Sequence, residues 1–338
     1  MRLSYEPLIL KTRYPFVISR GGSDTFGGAI VRIEHEGVVG VGEAAPSAFY
    51  GENQSTVMSA LETLKSELPE DPFLLEDVSE RMERKIGGNP AAKAAIDIAL
   101  HDIVCKRLGI PLFRYFGYSR DAAPVTSFTI GIDETEVMKR KAQEATQYKI
   151  LKIKVGTGRD EPVLEAIRNV TDKPIRVDAN CAWTPREAVR NITRLQKFGI
   201  EFVEHPIPPG DPDGMRFVRE HAPLPIVADE SVRTSRDIEA LAGAVDGINI
   251  KLMKCGGLRE AFKMIHVARA LGMKVMLGCM VESSVGITAA AHLSPAVDYA
   301  DLDGNLLLAD DPFVGVGVQE GKLVLPTEAG LGVRVRSA

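Results

Sequence analysis

Leu151-Lys152-Ile153-Lys154-Val155 alternates apolar and charged residues at period two and is followed by Gly156 and Gly158, the pattern of a short strand with two lysines on one face. Two neighbouring ammonium groups repel. On a sheet edge such a pair is ordinary, because lysine there discourages edge-to-edge pairing. Its weight comes from the later segments Val177-Asp178-Ala179-Asn180, Val203-Glu204-His205-Pro206, Ala228-Asp229-Glu230-Ser231 and Asn249-Ile250-Lys251-Leu252, in each of which an apolar run ends on a charged residue. Counted from Lys154 to Asp178, Glu204, Asp229 and Lys251, the intervals are 24, 26, 25 and 22 residues.

Candidate strands at Val125–Gly131, Leu151–Val155, Ile175–Asp178, Glu201–Glu204, Ile226–Asp229, Gly247–Lys251, Lys274–Gly278 and Tyr299–Leu302, separated by helical stretches, repeat at roughly 25 residues. That period predicts an α/β fold, a closed (β/α)8-type parallel barrel whose strand-end side chains converge at the C-terminal mouth. An open doubly wound sheet would not place charged residues on nearly every strand end. The expected organisation is an N-terminal α+β capping domain over 1–122, a barrel catalytic domain over 123–315, and a C-terminal segment over 316–338 that packs back on the cap.

In the N-terminal part, Ala29-Ile30-Val31-Arg32-Ile33 and Val38-Val39-Gly40-Val41-Gly42-Glu43, joined through His35-Glu36-Gly37, read as a hairpin. Ser19-Arg20-Gly21-Gly22-Ser23-Asp24 reads as a mobile glycine-rich loop, without the strand-turn-helix context of a phosphate fingerprint. Asn89-Pro90 caps and starts a helix with Ala94, Ile98, Ile103 and Leu108 at helical spacing, Gly109 at its end and Pro111 just beyond. His101 and Asp102 lie inside that helix, away from any strand end, and read as structural.

The 338 residues are 45% apolar and 26% charged with a net charge of -5, which suits a globular chain with one large domain and a smaller one and argues against nucleic acid as the main partner. No apolar run reaches membrane-spanning length and the N-terminus lacks a signal peptide's apolar core, so neither a membrane nor export is expected, and the location reads as cytoplasmic. Cys105, Cys181, Cys255 and Cys279 are dispersed and read as reduced, space-filling thiols.

Three carboxylates, Asp178, Glu204 and Asp229, converging at one barrel mouth repel, and a divalent cation relieves that repulsion. An all-oxygen donor set favours Mg²⁺ over zinc. Alone, each would read as a solvated loop carboxylate or helix cap. Lys154 on the second strand and Lys251 on the sixth stand half a turn apart. A lysine beside other cations has its pKa lowered toward neutrality and becomes usable as a base for a carbon-bound proton, Lys152 being such a neighbour for Lys154. One lysine removing a proton and the other returning one to the opposite face is epimerisation.

These segments, with Lys251-Leu252-Met253-Lys254-Cys255-Gly256-Gly257, resemble the enolase superfamily in its muconate-lactonizing subgroup, over essentially the whole chain. The resemblance implies a modified (β/α)7β barrel, one Mg²⁺ held by Asp178, Glu204 and Asp229, and an acid/base pair of Lys154 and Lys251. It implies a role for Lys152 in holding the substrate carboxylate and its enolate; a lysine base with a Mg²⁺-stabilised ene-diolate is that superfamily's recognised pattern. His205 stands where glutamine is common. Asp301 and Asp303, at period two in Ala300-Asp301-Leu302-Asp303-Gly304, read either as loop-capping aspartates or as a site for a substrate cation. In this subgroup the pair resembles that of the dipeptide epimerases, where it meets the substrate's α-ammonium group.

Glu282 reads as lining the pocket or capping the helix that enters Ile287. Arg20 reads as pairing with an acidic substrate side chain or as solvated. By the resemblance, Gly21 takes the place of an arginine that reads glutamate in some members, which leaves a hydrophobic second residue open. The 20s stretch and Phe49-Tyr50-Gly51 are expected to cover the mouth. The expected partner is a small-molecule dipeptide, and barrels of this kind commonly form homo-oligomers. Alternative activities on the same scaffold are those of an o-succinylbenzoate synthase or a muconate-type cycloisomerase; a non-catalytic metal-binding protein is a further reading, opposed by the lysines retained beside the carboxylates.

Overall fold

The computed structural model describes residues 1–337. The chain opens with an antiparallel sheet of β1 (Arg2–Ile18), β2 (Gly21–His35) and β3 (Val38–Ala44), followed by α1 (Gln54–Leu64), α2 (Leu75–Lys85) and α3 (Pro90–Leu108). Every residue of α3 from Ala91 to Cys105 is buried, so this helix is the spine of the cap. Gly40 and Gly42 let β3 lie directly on it: a Cβ at Gly42 would sit 1.9 Å from the Ala95 carbonyl oxygen, and one at Gly40 would sit 2.0 Å from that of Ala99. Asp102 accepts from Val41 N–H, Lys106 Nζ and Leu331 N–H, so it ties sheet, helix and C-terminal segment together.

Two local expectations do not hold. The stretch Ser19–Asp24 is no mobile loop: β1 and β2 run on as a long arm, with Val17 opposite Gly22 and Ile18 opposite Gly21, and only Ser19 and Arg20 form the turn. Gly21, at φ 121°, accepts a backbone conformation that closes so short a turn. The irregularity lies between Lys11 and Phe16, where the register shifts. Asn89 is likewise not a side-chain cap. Its backbone is left-handed and its amide donates to the Gly87 carbonyl, while Glu52 accepts from Ala91 N–H at the start of α3.

Eight parallel strands follow in sequence order: β4 (Ser127–Ile130), β5 (Ile150–Lys154), β6 (Ile175–Asp178), β7 (Ile200–Glu204), β8 (Ile226–Ala228), β9 (Gly247–Ile250), β10 (Lys274–Gly278) and β11 (Tyr299–Asp301). A bridge between Thr126 and Ala300 nearly closes the ring. After β11 the described residues form the short turn Gly304–Leu307 and then short strand pairs but no α-helix, so the barrel is of the (β/α)7β kind. Register then positions the charges: Lys154 pairs with Asp178 across β5 and β6, and Asp178 with Glu204 across β6 and β7. Neighbouring strands lie about 4.8 Å apart, so the three side chains stand side by side at one end of the barrel. Of the C-terminal residues, Gly321 accepts from Thr126 N–H just before β4, and Gly330 accepts from Leu112 N–H at the end of the cap. Among the described residues no helix is long and apolar enough to cross a membrane.

Candidate active site

Between the cap and the C-terminal end of the barrel lies a cavity of about 400 Å³, onto which Lys152, Lys154, Asp229, Lys251, Asp301 and Asp303 open from the barrel side. The strand ends feeding it are bent: Asn180, Cys181 and His205 are three of the six non-glycine residues at positive φ among those described. The turn at Asn180 brings its own N–H onto Asp178 Oδ1 at 2.9 Å. His205 Nδ1 accepts from Asp229 N–H at 2.9 Å, so the residue found where glutamine is common fixes the neighbouring strand end. Burial lowers the His205 pKa and keeps the ring neutral for that bond.

The carboxylates and ammonium groups interleave. Lys152 Nζ lies 2.7 Å from Glu204, 2.7 Å from Asp301 and 3.1 Å from Asp178. Lys154 Nζ reaches Asp178 at 2.7 Å, and Lys251 Nζ reaches Asp229 at 2.9 Å. Lys254, fully buried, donates to Asp229 Oδ1 at 2.5 Å and to the Asp229 carbonyl at 2.7 Å. Asp178, Glu204 and Asp229 are each 0 or 1% exposed. Burial would raise the carboxyl pKa of Asp178, but Lys154 and Lys152 outweigh it and hold the group below its ordinary range; at Asp229, Lys251 and Lys254 do the same. Glu204 goes the other way, raised by burial and by the Asp178 carboxylate despite Lys152.

Without a cation among the carboxylates, the anions around Lys152 and Lys251 dominate. Burial acts to lower both pKa values, yet the surrounding carboxylates, Asp301 first for Lys152 and Asp229 first for Lys251, carry both well above the ordinary lysine value. Counting the neighbouring cations alone leaves out the anions that each lysine touches.

The trio suits a hard divalent cation. All donors are oxygen, all are buried, and Glu204 Oε2 has no hydrogen-bond donor, the Lys152 ammonium lying close but poorly directed. A tighter cluster, Cys181, His205 and Glu230, has its ligand atoms within 4.8 Å of one another just behind the mouth. Arg20 occupies two of its members, Nη1 lying 2.7 Å from Glu230 Oε1 and 3.4 Å from Cys181 Sγ. A cation there would meet a guanidinium.

Asp301 and Asp303 differ in their surroundings. Asp301 accepts from Ser127 Oγ at 2.5 Å as well as pairing with Lys152, which lowers its pKa against burial. Asp303 accepts from Thr129 N–H at 2.5 Å, and no lysine or arginine among the described residues pairs with it. Burial and then the Asp301 charge raise its pKa. Glu282 does not cap the following helix: Ser283 does so through Val285 N–H, while Glu282 accepts from Met280 N–H and is pushed up to about 8 by burial and by Glu43. Met280 and Val281 form the cavity wall at that point.

Sequence reasoning missed Asn249, which donates to Glu204 Oε1 at 2.8 Å, and Ser127, which holds Asp301. A signal existed for the first. Asn249 sits in an otherwise apolar run at the same parity as Lys251, hence on the same inward face.

A (β/α)7β barrel whose strand-end lysines and carboxylates meet under an α+β cap defines an enolase-type protein. The chain belongs to that superfamily: residues 7–117 match the mandelate racemase / muconate lactonizing enzyme N-terminal domain, and residues 137–338 match the enolase C-terminal domain-like family. It is 46% identical to an L-Ala-D/L-Glu epimerase from Bacteroides thetaiotaomicron, over 98% of this chain and 88% of that one. It is 40% identical to a hydrophobic dipeptide epimerase from Enterococcus faecalis, over 96% of both chains. Among solved structures, a dipeptide epimerase from Enterococcus faecalis V583 complexed with Mg and the dipeptide L-Leu-L-Tyr superposes with a TM-score of 0.94 at 39% identity, covering 98% of each chain.

Proposed function

We propose that this chain is a Mg²⁺-dependent dipeptide epimerase, an isomerase that inverts the α-carbon of a dipeptide's C-terminal residue by two-base proton transfer. The observation that carries the reading is the placing of Lys154 and Lys251 on the second and sixth of eight barrel strand ends, both opening on one cavity and each paired with a carboxylate of the buried trio. Family membership and relatives that are dipeptide epimerases support it.

Asp178, Glu204 and Asp229 would hold the ion; when bound, Mg²⁺ supplies positive charge that stabilises the enolate and competes with the ammonium groups for the carboxylates, which brings a lysine within reach of its neutral form. Neutral Lys154 or Lys251 takes the α-proton, the C–H electron pair moves into the adjacent carboxylate, and the opposite lysine, as ammonium, delivers a proton to the other face of the carbon. Proton and electron counts balance without any oxidant. Lys152 donates toward the substrate carboxylate, and Asp301 holds Lys152 in place. Asp303 faces the substrate's α-ammonium group, which an o-succinylbenzoate synthase or a muconate-type cycloisomerase would not need.

The test is α-proton exchange in D₂O with Mg²⁺, read by NMR on L,L-dipeptides. Deuterium at the C-terminal α-carbon together with L,D product is expected. Lys154→Ala and Lys251→Ala should each abolish epimerisation while retaining exchange of a single enantiomer, a different one in each variant; full epimerisation by either variant refutes the two-base scheme.

A further inference from the structure

Arg20 is the one lysine or arginine that the cap contributes to the cavity lining, and it stands at the tip of the β1–β2 arm. Its Nη1 donates to Glu230 Oε1 and to the Asn180 carbonyl, both at 2.7 Å, and its guanidinium lies 4.2 Å from the centre of the Phe49 ring. Ser19 Oγ adds a bond of 3.0 Å to the same Asn180 carbonyl. The two residues of the turn are thereby fastened to the ends of β6 and β8, with Phe49 packed over the joint. Glu230 is 1% exposed and has no other basic side chain within reach among the described residues except the neutral His205, so it holds Arg20 as its counter-ion.

Of the other charged groups on the lining, Asp303 has no lysine or arginine partner among the described residues and is given the α-ammonium group by the reading above, and no cation is left free for an anionic substrate side chain. Lys152, Lys154 and Lys251 are engaged with the buried carboxylates. Glu43, the cap's one carboxylate on the lining, is saturated by Ser283 N–H, Ser283 Oγ and Gly286 N–H. What remains of the wall includes Phe16, Ile18 and Phe26 from the cap and Met280, Val281 and Leu307 from the barrel. A carboxylate placed against those side chains would be desolvated without a partner, whereas an aliphatic or aromatic group would gain by leaving water.

Resting on the dipeptide epimerase reading, we propose that Arg20 is a positioning residue that latches the β1–β2 arm onto the barrel rim and does not read substrate charge, and that the residue being epimerised carries an uncharged, hydrophobic side chain. The latch shuts the cavity from the Asn180 side. Its loss therefore weakens capture of every dipeptide alike, and its charge is already matched by Glu230.

The experiment compares kcat/KM for epimerisation of L-Ala-L-Leu and L-Ala-L-Glu by the Mg²⁺-loaded wild type, Arg20→Met, Arg20→Lys and Glu230→Gln, with circular dichroism confirming that each variant is folded. The wild type is expected to favour the leucyl substrate at least tenfold. Arg20→Met should lower both substrates about tenfold or more, mainly through KM, with the leucyl-to-glutamyl ratio held within threefold, Arg20→Lys should recover part of the loss, and Glu230→Gln, which frees the guanidinium, should lower the leucyl substrate and shift the ratio toward the glutamyl one. A wild-type preference for L-Ala-L-Glu overturns the proposal, as does an Arg20→Met loss more than tenfold greater for the glutamyl substrate, or an Arg20→Met variant as active as wild type on both. If the wild type epimerises neither these nor any other dipeptide, it is the epimerase reading itself that falls.

Discussion

Asp303→Asn separates the two aspartates at the end of β11 and tests what the second is for. The asparagine keeps an oxygen for Thr129 N–H, so the backbone contact at 2.5 Å survives and only the charge goes. Asp303 is 3% exposed and no basic side chain among the described residues pairs with it, so an arriving α-ammonium group would be its counter-ion. Removing one member of a desolvated, hydrogen-bonded charge pair costs about 2–5 kcal/mol; the cavity here opens to solvent, which favours the lower half, about 2–3.5 kcal/mol or roughly 30- to 300-fold in kcat/KM, carried mostly by KM. The assay is epimerisation of L-Ala-L-Leu beside its des-amino analogue, propanoyl-L-leucine. Wild type should lose a similar factor on the analogue, and Asp303→Asn should scarcely distinguish the two substrates. Asp301→Asn should instead lower kcat, because Asp301 acts through Lys152 at 2.7 Å. An Asp303→Asn enzyme within threefold of wild type, or one that still shows the full des-amino penalty, refutes the assignment.

Gly42→Ala should destabilise the chain by about 2–3 kcal/mol in urea unfolding, because its Cβ would lie 1.9 Å from the Ala95 carbonyl oxygen and neither strand nor helix can give way cheaply; a loss below about 0.5 kcal/mol would show that the cap repacks. His292 is buried, its Nε2–H donating to the Leu331 carbonyl and its Nδ1 accepting from Phe113 N–H, and burial pushes its pKa down to about 4. The folded state therefore binds this proton less readily than the unfolded chain: the contribution is complete above about pH 6.5 and is lost as pH falls toward 4, amounting to ~3 kcal/mol. His292→Asn should be less stable than wild type at pH 7, with the gap closing by that amount by pH 4; a gap independent of pH would contradict the neutral, buried ring.

What was legible in the chain and what was not divide along a physical line. Within the barrel, ladder hydrogen bonding sets a ruler of about 4.8 Å between strands, so period-two alternation on each strand and an interval of roughly 25 residues between them were enough to bring Lys154, Asp178, Glu204, Asp229 and Lys251 to one mouth from sequence alone. Asn249 obeys the same ruler and was missed only because a neutral amide among charged neighbours attracts less notice. No such ruler connects the cap to the barrel. Arg20 and Glu230 are 210 positions apart, and nothing in Ser19-Arg20-Gly21-Gly22 distinguishes a mobile loop from the tip of a paired arm; the difference lies in Asn180 and Glu230 waiting across the gap. The charge balance at Lys152 and Lys251 was illegible for a related reason, since the sign of a shift depends on every charge in reach, and Asp229, Asp301 and Glu204 reach those ammonium groups from other strands. Chemistry built on one sheet can be read from periodicity. A contact built across an interface between two domains depends on which groups wait on the far side, and the pairing of Arg20 with Glu230 is of that kind.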